Sequence, residues 1–137
     1  MTAARILIVD DNTLNVQLAA YVLRQAAYTV DAILDSRDAM ARVETFRPHL
    51  ILMDIQMPEI GGLELMQQIK AQPTLCHIPV VAFTAYAMQG DQDKLLAAGC
   101  DGYLSKPIDV AVFAAQVQGF LDAAAKAALA PPPSDPP

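Results

Sequence analysis

The sequence predicts an α/β fold, a five-stranded parallel sheet with helices on both faces. Two observations predict it. Short apolar runs of strand length alternate with amphipathic stretches of helical period, and they do so five times in 137 residues. Repeated strand–helix units of this length imply a parallel sheet buried on both sides. The length also suits one domain with a core of its own.

Arg5 to Val9 is the first strand run, and a helix follows from about Thr13 to Ala26. Val16, Ala19, Ala20, Leu23 and Ala27 share its core face, at helical spacing. Thr29 to Ile33 is the second strand, and Ser36 suits the cap of a helix ending near Phe46. Leu50 to Met53 is the third strand, followed by a helix from Gly62 to about Lys70. Val80 to Phe83 is the fourth, with a polar-faced helix over about Asp91 to Ala98. Gly102 to Leu104 is a short fifth strand, and Asp109 to about Leu129 the last helix. Val110, Phe113, Val117, Phe120 and Leu121 form that helix's core stripe, while Ala111, Ala114, Ala115 and Gln118 face outward. Residues 1–126 are thus expected to form the domain. Residues 127–137 make an Ala/Pro-rich tail whose prolines cannot continue a helix, so disorder or polyproline geometry is expected there.

Composition narrows the function. A net charge of −6 without any lysine or arginine run argues against nucleic-acid binding. The longest apolar run, Pro79 to Phe83, is far short of the roughly 20 residues a membrane-spanning helix needs. The chain reaches Asp10 too soon for a signal peptide, so a cytoplasmic protein is expected. Cys76 and Cys100 lack metal-site spacing and read as free thiols in a reducing compartment. His49 and His77 stand alone as loop or strand-edge residues.

Asp54 closes an apolar run, where a carboxylate is costly to desolvate unless it stays wet, pairs or reacts. Ligands of open α/β sheets sit beyond the carboxyl ends of the strands, where strand order reverses. If the order is 2-1-3-4-5, taken from known folds of this class, Asp10 and Asp11 meet Asp54 at one rim. Thr84 and Lys106 then join them from the fourth and fifth strands. Each has an ordinary reading. Asp11 and Asn12 suit a helix cap, Thr84 a strand end, Lys106 a solvated surface and Tyr103 a half-buried aromatic. Five matched strand ends weigh more than any one of them. The set suits phosphoryl transfer to a carboxylate. Acidic oxygens hold Mg²⁺, a hard cation, while an ammonium and a hydroxyl donate to phosphoryl oxygens.

The segments ILIVDDN, ILMDIQMPEIGG, IPVVAFTAYAM and AAGCDGYLSKPI, in this order and spacing, resemble the receiver domains of two-component response regulators. The resemblance runs from about Ile6 to Leu121 and is closest to DivK-type single-domain cell-cycle regulators. It implies the flavodoxin-like fold and a bacterial His–Asp phosphorelay. Asp54 would accept the phosphoryl group from a histidine kinase or histidine phosphotransfer protein. Asp11 would ligate Mg²⁺ (or Mn²⁺) directly, Asp10 mainly through water, and Gln56 through its carbonyl. Thr84 and Lys106 would bind the phosphoryl group, Tyr103 would be the switch aromatic with Thr84, and Pro107 would carry a cis peptide. Gln56 and Tyr86, large and uncharged where the family shields the phosphoryl group from water, imply slow self-dephosphorylation.

About ten residues follow Lys126, so the expected output is a changed binding surface rather than a second domain. Leu14, Leu18, Tyr21 and Val22 cluster away from the core face of the first helix and are expected to dock the kinase or phosphotransfer partner. A second surface, from the fourth helix through Tyr103 to the last helix, suits a downstream protein target, with a monomer or weak dimer expected. Two other readings compete. One is a receiver cut from a hybrid histidine kinase, with the Pro-rich tail as linker. The other is a Mg²⁺-dependent phosphohydrolase with an aspartyl nucleophile, but Asp54-Ile55-Gln56-Met57 lacks the second acid of a DxDxT run. An FMN binder is weaker still, because no Ser/Thr/Gly-rich phosphate loop follows the first strand.

Overall fold

The computed structural model describes residues 4–54, 62–73, 75, 77–84, 100–105 and 109–129. Five strands run in chain order: β1 (Arg5–Val9), β2 (Thr29–Ile33), β3 (Leu50–Asp54), β4 (Val80–Thr84) and β5 (Gly102–Ser105). Every pairing is parallel and the spatial order is β2-β1-β3-β4-β5, as expected. The described helices are α1 (Thr13–Gln25), α2 (Ala39–Phe46), α3 (Gly62–Ala71) and α4 (Phe113–Leu129). The helix expected over 91–98, Cys76 and the tail from 130 onward lie outside the described residues.

Side chains along a strand alternate between faces, and both faces here are apolar. Ile6, Ile8, Leu50, Leu52, Val81 and Phe83 pack with Val16, Ala19 and Leu23 of α1 and Phe113 and Val117 of α4. Leu7, Val9, Ile51, Met53, Val80 and Ala82 pack with Ala39 and Val43 of α2 and Leu65, Met66 and Ile69 of α3. Among the described residues both faces of the sheet are covered, which leaves the strand ends to meet a ligand. Cys100 is a free thiol in the second cluster, and burial pushes its pKa up to about 11. At neutral pH it is a protonated, apolar packing group.

Three local expectations change. The core face of α1 stops before Ala27, because the helix ends at Gln25 and Ala27 turns left-handed (φ 71°) and exposed. Its N–H and that of Tyr28 close the turn onto the carbonyls of Arg24 and Leu23. The residue at the start of α2 is Asp38 and not Ser36: residues 36–38 form a 3-10 turn and the helix begins at Ala39. Val110 is not core but 58% exposed. The Asp109 carboxylate accepts from Ala111 N–H and its carbonyl from Phe113 N–H, so a turn precedes α4.

Candidate functional site

β1 and β3 are neighbours, with Val9 level with Met53, so Asp10 and Asp54 end adjacent strands side by side. Asp10 is fully buried, Asp54 is 5% exposed and Asp11 is exposed. One carboxylate oxygen from each lies within 4.8 Å of the others. Local hydrogen bonds explain the arrangement. Asp10 Oδ1 accepts from Asn12 N–H at 2.9 Å, an Asx turn, while Asp10 N–H donates to Ile33 O at 3.1 Å. The chain is so tied to the end of β2 as it bends into α1. Asn12 Oδ1 then caps α1, accepting from Asn15 N–H at 3.1 Å. Of the two residues the sequence offers as caps, Asn12 takes the role, and Asp11 is left to face the rim.

Two ionised carboxylates at this separation repel by roughly 3 kcal/mol at an effective dielectric near 20. A hard cation turns that repulsion into coordination. Three carboxylates, two of them buried, are the oxygen-only donor set that suits a small divalent ion.

The next strands extend the rim. Asp54 is level with Phe83, and Thr84 is level with Ser105, so the backbone places Thr84 at the end of β4 beside β3. Lys106 follows Ser105 directly in sequence, but Lys106, Pro107, Gln56 and Tyr86 lie outside the described residues. Tyr103 is half-buried, level with Ala82 on β5, and packs against the α2–α3 side of the core.

The proposed docking side of α1 divides. Leu14 (77% exposed), Leu18 (42%) and Tyr21 (63%) form an apolar face turned to solvent. Val22 does not belong to it: it is 8% exposed and sits in the core cluster with Val30. At about 100° per residue Val22 lies nearer Ala19 than Leu14, and the helix flank beside β2 covers it. Sequence reasoning missed Leu34 (49% exposed), directly after β2 at the same edge as Asp10. An apolar residue just beyond a strand's end was its only signal.

Comparison with known proteins agrees with this geometry. The family model of the response regulator receiver domain matches residues 6–118. The polar-differentiation response regulator DivK of Brucella anthropi is 40% identical over 116 residues, covering 85% of this chain and 94% of that protein. DivK of Brucella ovis is 39% identical with the same coverage. Among solved structures, the chemotaxis protein CheY4 of Vibrio cholerae superposes with a TM-score of 0.81 at 26% identity, covering 86% of this chain and 98% of that one. The receiver domain of a signal transduction histidine kinase from Syntrophus aciditrophicus gives 0.79 at 31% identity, with coverages of 88% and 92%. A parallel sheet in this order, with carboxylates gathered at its carboxyl edge, is the architecture of a signalling receiver domain. The chain belongs to the response regulator receiver domain family, and its sequence is DivK-like.

Proposed function

We propose that the chain is a phospho-switch in which Asp54 accepts a phosphoryl group from a phosphohistidine on a kinase or phosphotransfer protein. The observation that carries this is the Asp10–Asp11–Asp54 cluster, three carboxylates within 4.8 Å at the ends of adjacent strands. A carboxylate oxygen of Asp54 attacks phosphorus, the P–N bond breaks, and the imidazole takes up a proton from water. Asp10, Asp11 and Asp54, with the Gln56 carbonyl, would hold Mg²⁺ (or Mn²⁺), which would supply charge neutralisation for the phosphoryl oxygens. The Asp10–Asn12 turn keeps the metal-binding loop in place before the partner arrives. Thr84 and Lys106 would donate to the phosphoryl oxygens, and Thr84 and Tyr103 would relay its presence to the β4–β5 side. Leu14, Leu18 and Tyr21 dock the donor, and a downstream protein reads the changed surface. The expected domain, residues 1–126, would carry these functions; α4 runs on to Leu129, past that expected boundary.

The relatives' name, polar-differentiation response regulator, and the 94% of their length that the match covers support a DivK-like response regulator over a hybrid-kinase receiver. Acetyl phosphate with Mg²⁺ tests the chemistry: wild type gains one phosphoryl group by intact-mass measurement and Asp54→Asn gains none. Modification that survives in Asp54→Asn overturns the assignment. Leu14→Glu with Leu18→Glu tests the docking face. Transfer from a phosphorylated histidine protein should slow by about tenfold or more while labelling by acetyl phosphate is unchanged. Equal transfer rates would remove α1 from the docking surface.

A further inference from the structure

The edge of the sheet opposite the carboxylates carries a cavity of about 550 Å³. It opens beneath the first residues of β1, β3 and β4, with α4 as its side wall. That size lies within the roughly 300–1,000 Å³ of small-molecule sites. Leu75, Ile78 and Leu121 give it apolar walls, whereas its rim collects Arg5, Arg47, His49 and His77. Both histidines and two of the five arginines of a chain with net charge −6 therefore face one cavity.

Arg5 and His49 are held in place. Arg5 makes both its side-chain hydrogen bonds through Nε, to Phe46 O at 3.0 Å and Arg47 O at 2.9 Å. The two terminal nitrogens of the fork keep their donors for a guest. His49 Nδ1 accepts from Arg5 N–H at 2.8 Å, which makes the ring neutral and puts its proton on Nε2, another donor. Arg47 is exposed, in the left-handed conformation (φ 52°) that ends α2. Asp122 is the acid on the lining, and it accepts from Gln118 Nε2 at 2.8 Å on the α4 side. The rim is thus divided, with cationic donors on the β1 and α2 side and a carboxylate on the α4 side.

We propose that this cavity binds a small amphipathic organic anion, an aromatic or branched aliphatic carboxylate. Its apolar body rests on Leu75, Ile78 and Leu121, and its carboxylate faces Arg5 and Arg47. A guanidinium with two donors side by side matches a carboxylate in a bidentate pair. The site lies a strand's length from Asp54, about 16 Å for five residues, so its occupancy does not rest on the phosphoryl chemistry.

The test is amide NMR on the full chain, titrated with 2-naphthoate and, separately, with the uncharged 2-naphthamide. Saturable shifts confined to residues around Arg5, His49, His77 and Leu121 are expected with 2-naphthoate, and weaker binding with the amide. Arg47→Gly removes one charge at a position whose backbone favours glycine, so the fold is kept. It should weaken 2-naphthoate about fivefold, while Asp54→Asn binds as wild type does. The proposal is overturned by any of four results: no saturable shift at millimolar probe, equal binding of acid and amide, no change in Arg47→Gly, or loss of binding in Asp54→Asn.

Discussion

The two edges of the sheet treat charge in opposite ways. At the amino edge, Asp101, Lys70 and the Nε of Arg5 are fastened to backbone or to opposite charge. Asp101 accepts from Lys70 Nζ and from Val80 N–H, both at 2.8 Å, and Lys70 also donates to Ile78 O at 2.8 Å. Arg5 ties the end of α2 to β1 in the same manner. At the carboxyl edge, three groups of one sign are drawn within 4.8 Å of each other. The first pattern fastens elements together, and the second is a cluster able to hold a metal ion. Contacts of the first kind hold elements in register, and a cation is a physical reason to gather like charges.

The largest effect should come from breaking the carboxyl edge. Asp54→Asn is expected to abolish phosphorylation altogether, as above. Metal linkage sharpens the same contrast without touching the nucleophile. Mg²⁺ at one hundred times its dissociation constant should stabilise wild type by about 2.7 kcal/mol, because it binds only the folded site. Asp11→Asn should remove most of that gain in a thermal melt with and without Mg²⁺. An equal Mg²⁺ shift in both proteins would place the ion elsewhere.

Breaking the amino edge should change stability and leave the chemistry alone. Asp101→Ala removes the acceptor of both Lys70 and Val80 N–H, and a loss of roughly 1.5–3 kcal/mol is expected in urea unfolding. Acetyl phosphate labelling of the folded protein should continue. A loss of labelling without a loss of stability would show that the two edges are not separate. One residue further on, Gly102→Ala sets a Cβ 2.2 Å from Phe120 Cε1. The ring must move, and overpacking of this kind costs about 1–3 kcal/mol. Labelling should persist here as well.

Much of this contrast was legible in the sequence, because periodicity reports burial. β1 and β2 run as expected, and β3, β4 and β5 each extend one residue further, to Asp54, Thr84 and Ser105. Those extra residues are polar, so an apolar run cannot announce them, yet hydrogen bonding carries the strand through. The acids at the carboxyl edge were legible because Asp10 and Asp54 directly follow apolar runs and Asp11 comes next to Asp10. The amino edge was not. Asp101 and Lys70 are 31 positions apart, and Arg5 and Phe46 are 41 apart. Nothing local in either residue names its partner. Val22 and Val110 failed for a related reason. Helical position alone fixes which way a side chain points, whereas the flank beside β2 covers Val22 and the turn at Asp109 exposes Val110.

The smallest expected effect is a pH dependence confined to the amino edge. Burial first, and then the nearby Arg5 charge, lower the pKa of His49 from its ordinary 6.5. The ring accepts Arg5 N–H through Nδ1, a role the imidazolium cannot fill. Between the folded and unfolded pKa values the unfolded chain binds the extra proton, so stability rises with pH there. The contribution is complete above the unfolded value of 6.5 and is lost as pH falls through the lowered folded value. Urea unfolding from pH 7.5 downward should show this decline in wild type, and His49→Asn should flatten that part of the curve while lowering its plateau slightly. The Mg²⁺-dependent stabilisation, read in the same series, should be unchanged by His49→Asn. A variant that altered the Mg²⁺ increment but left the pH profile intact would reverse the assignment of the two edges.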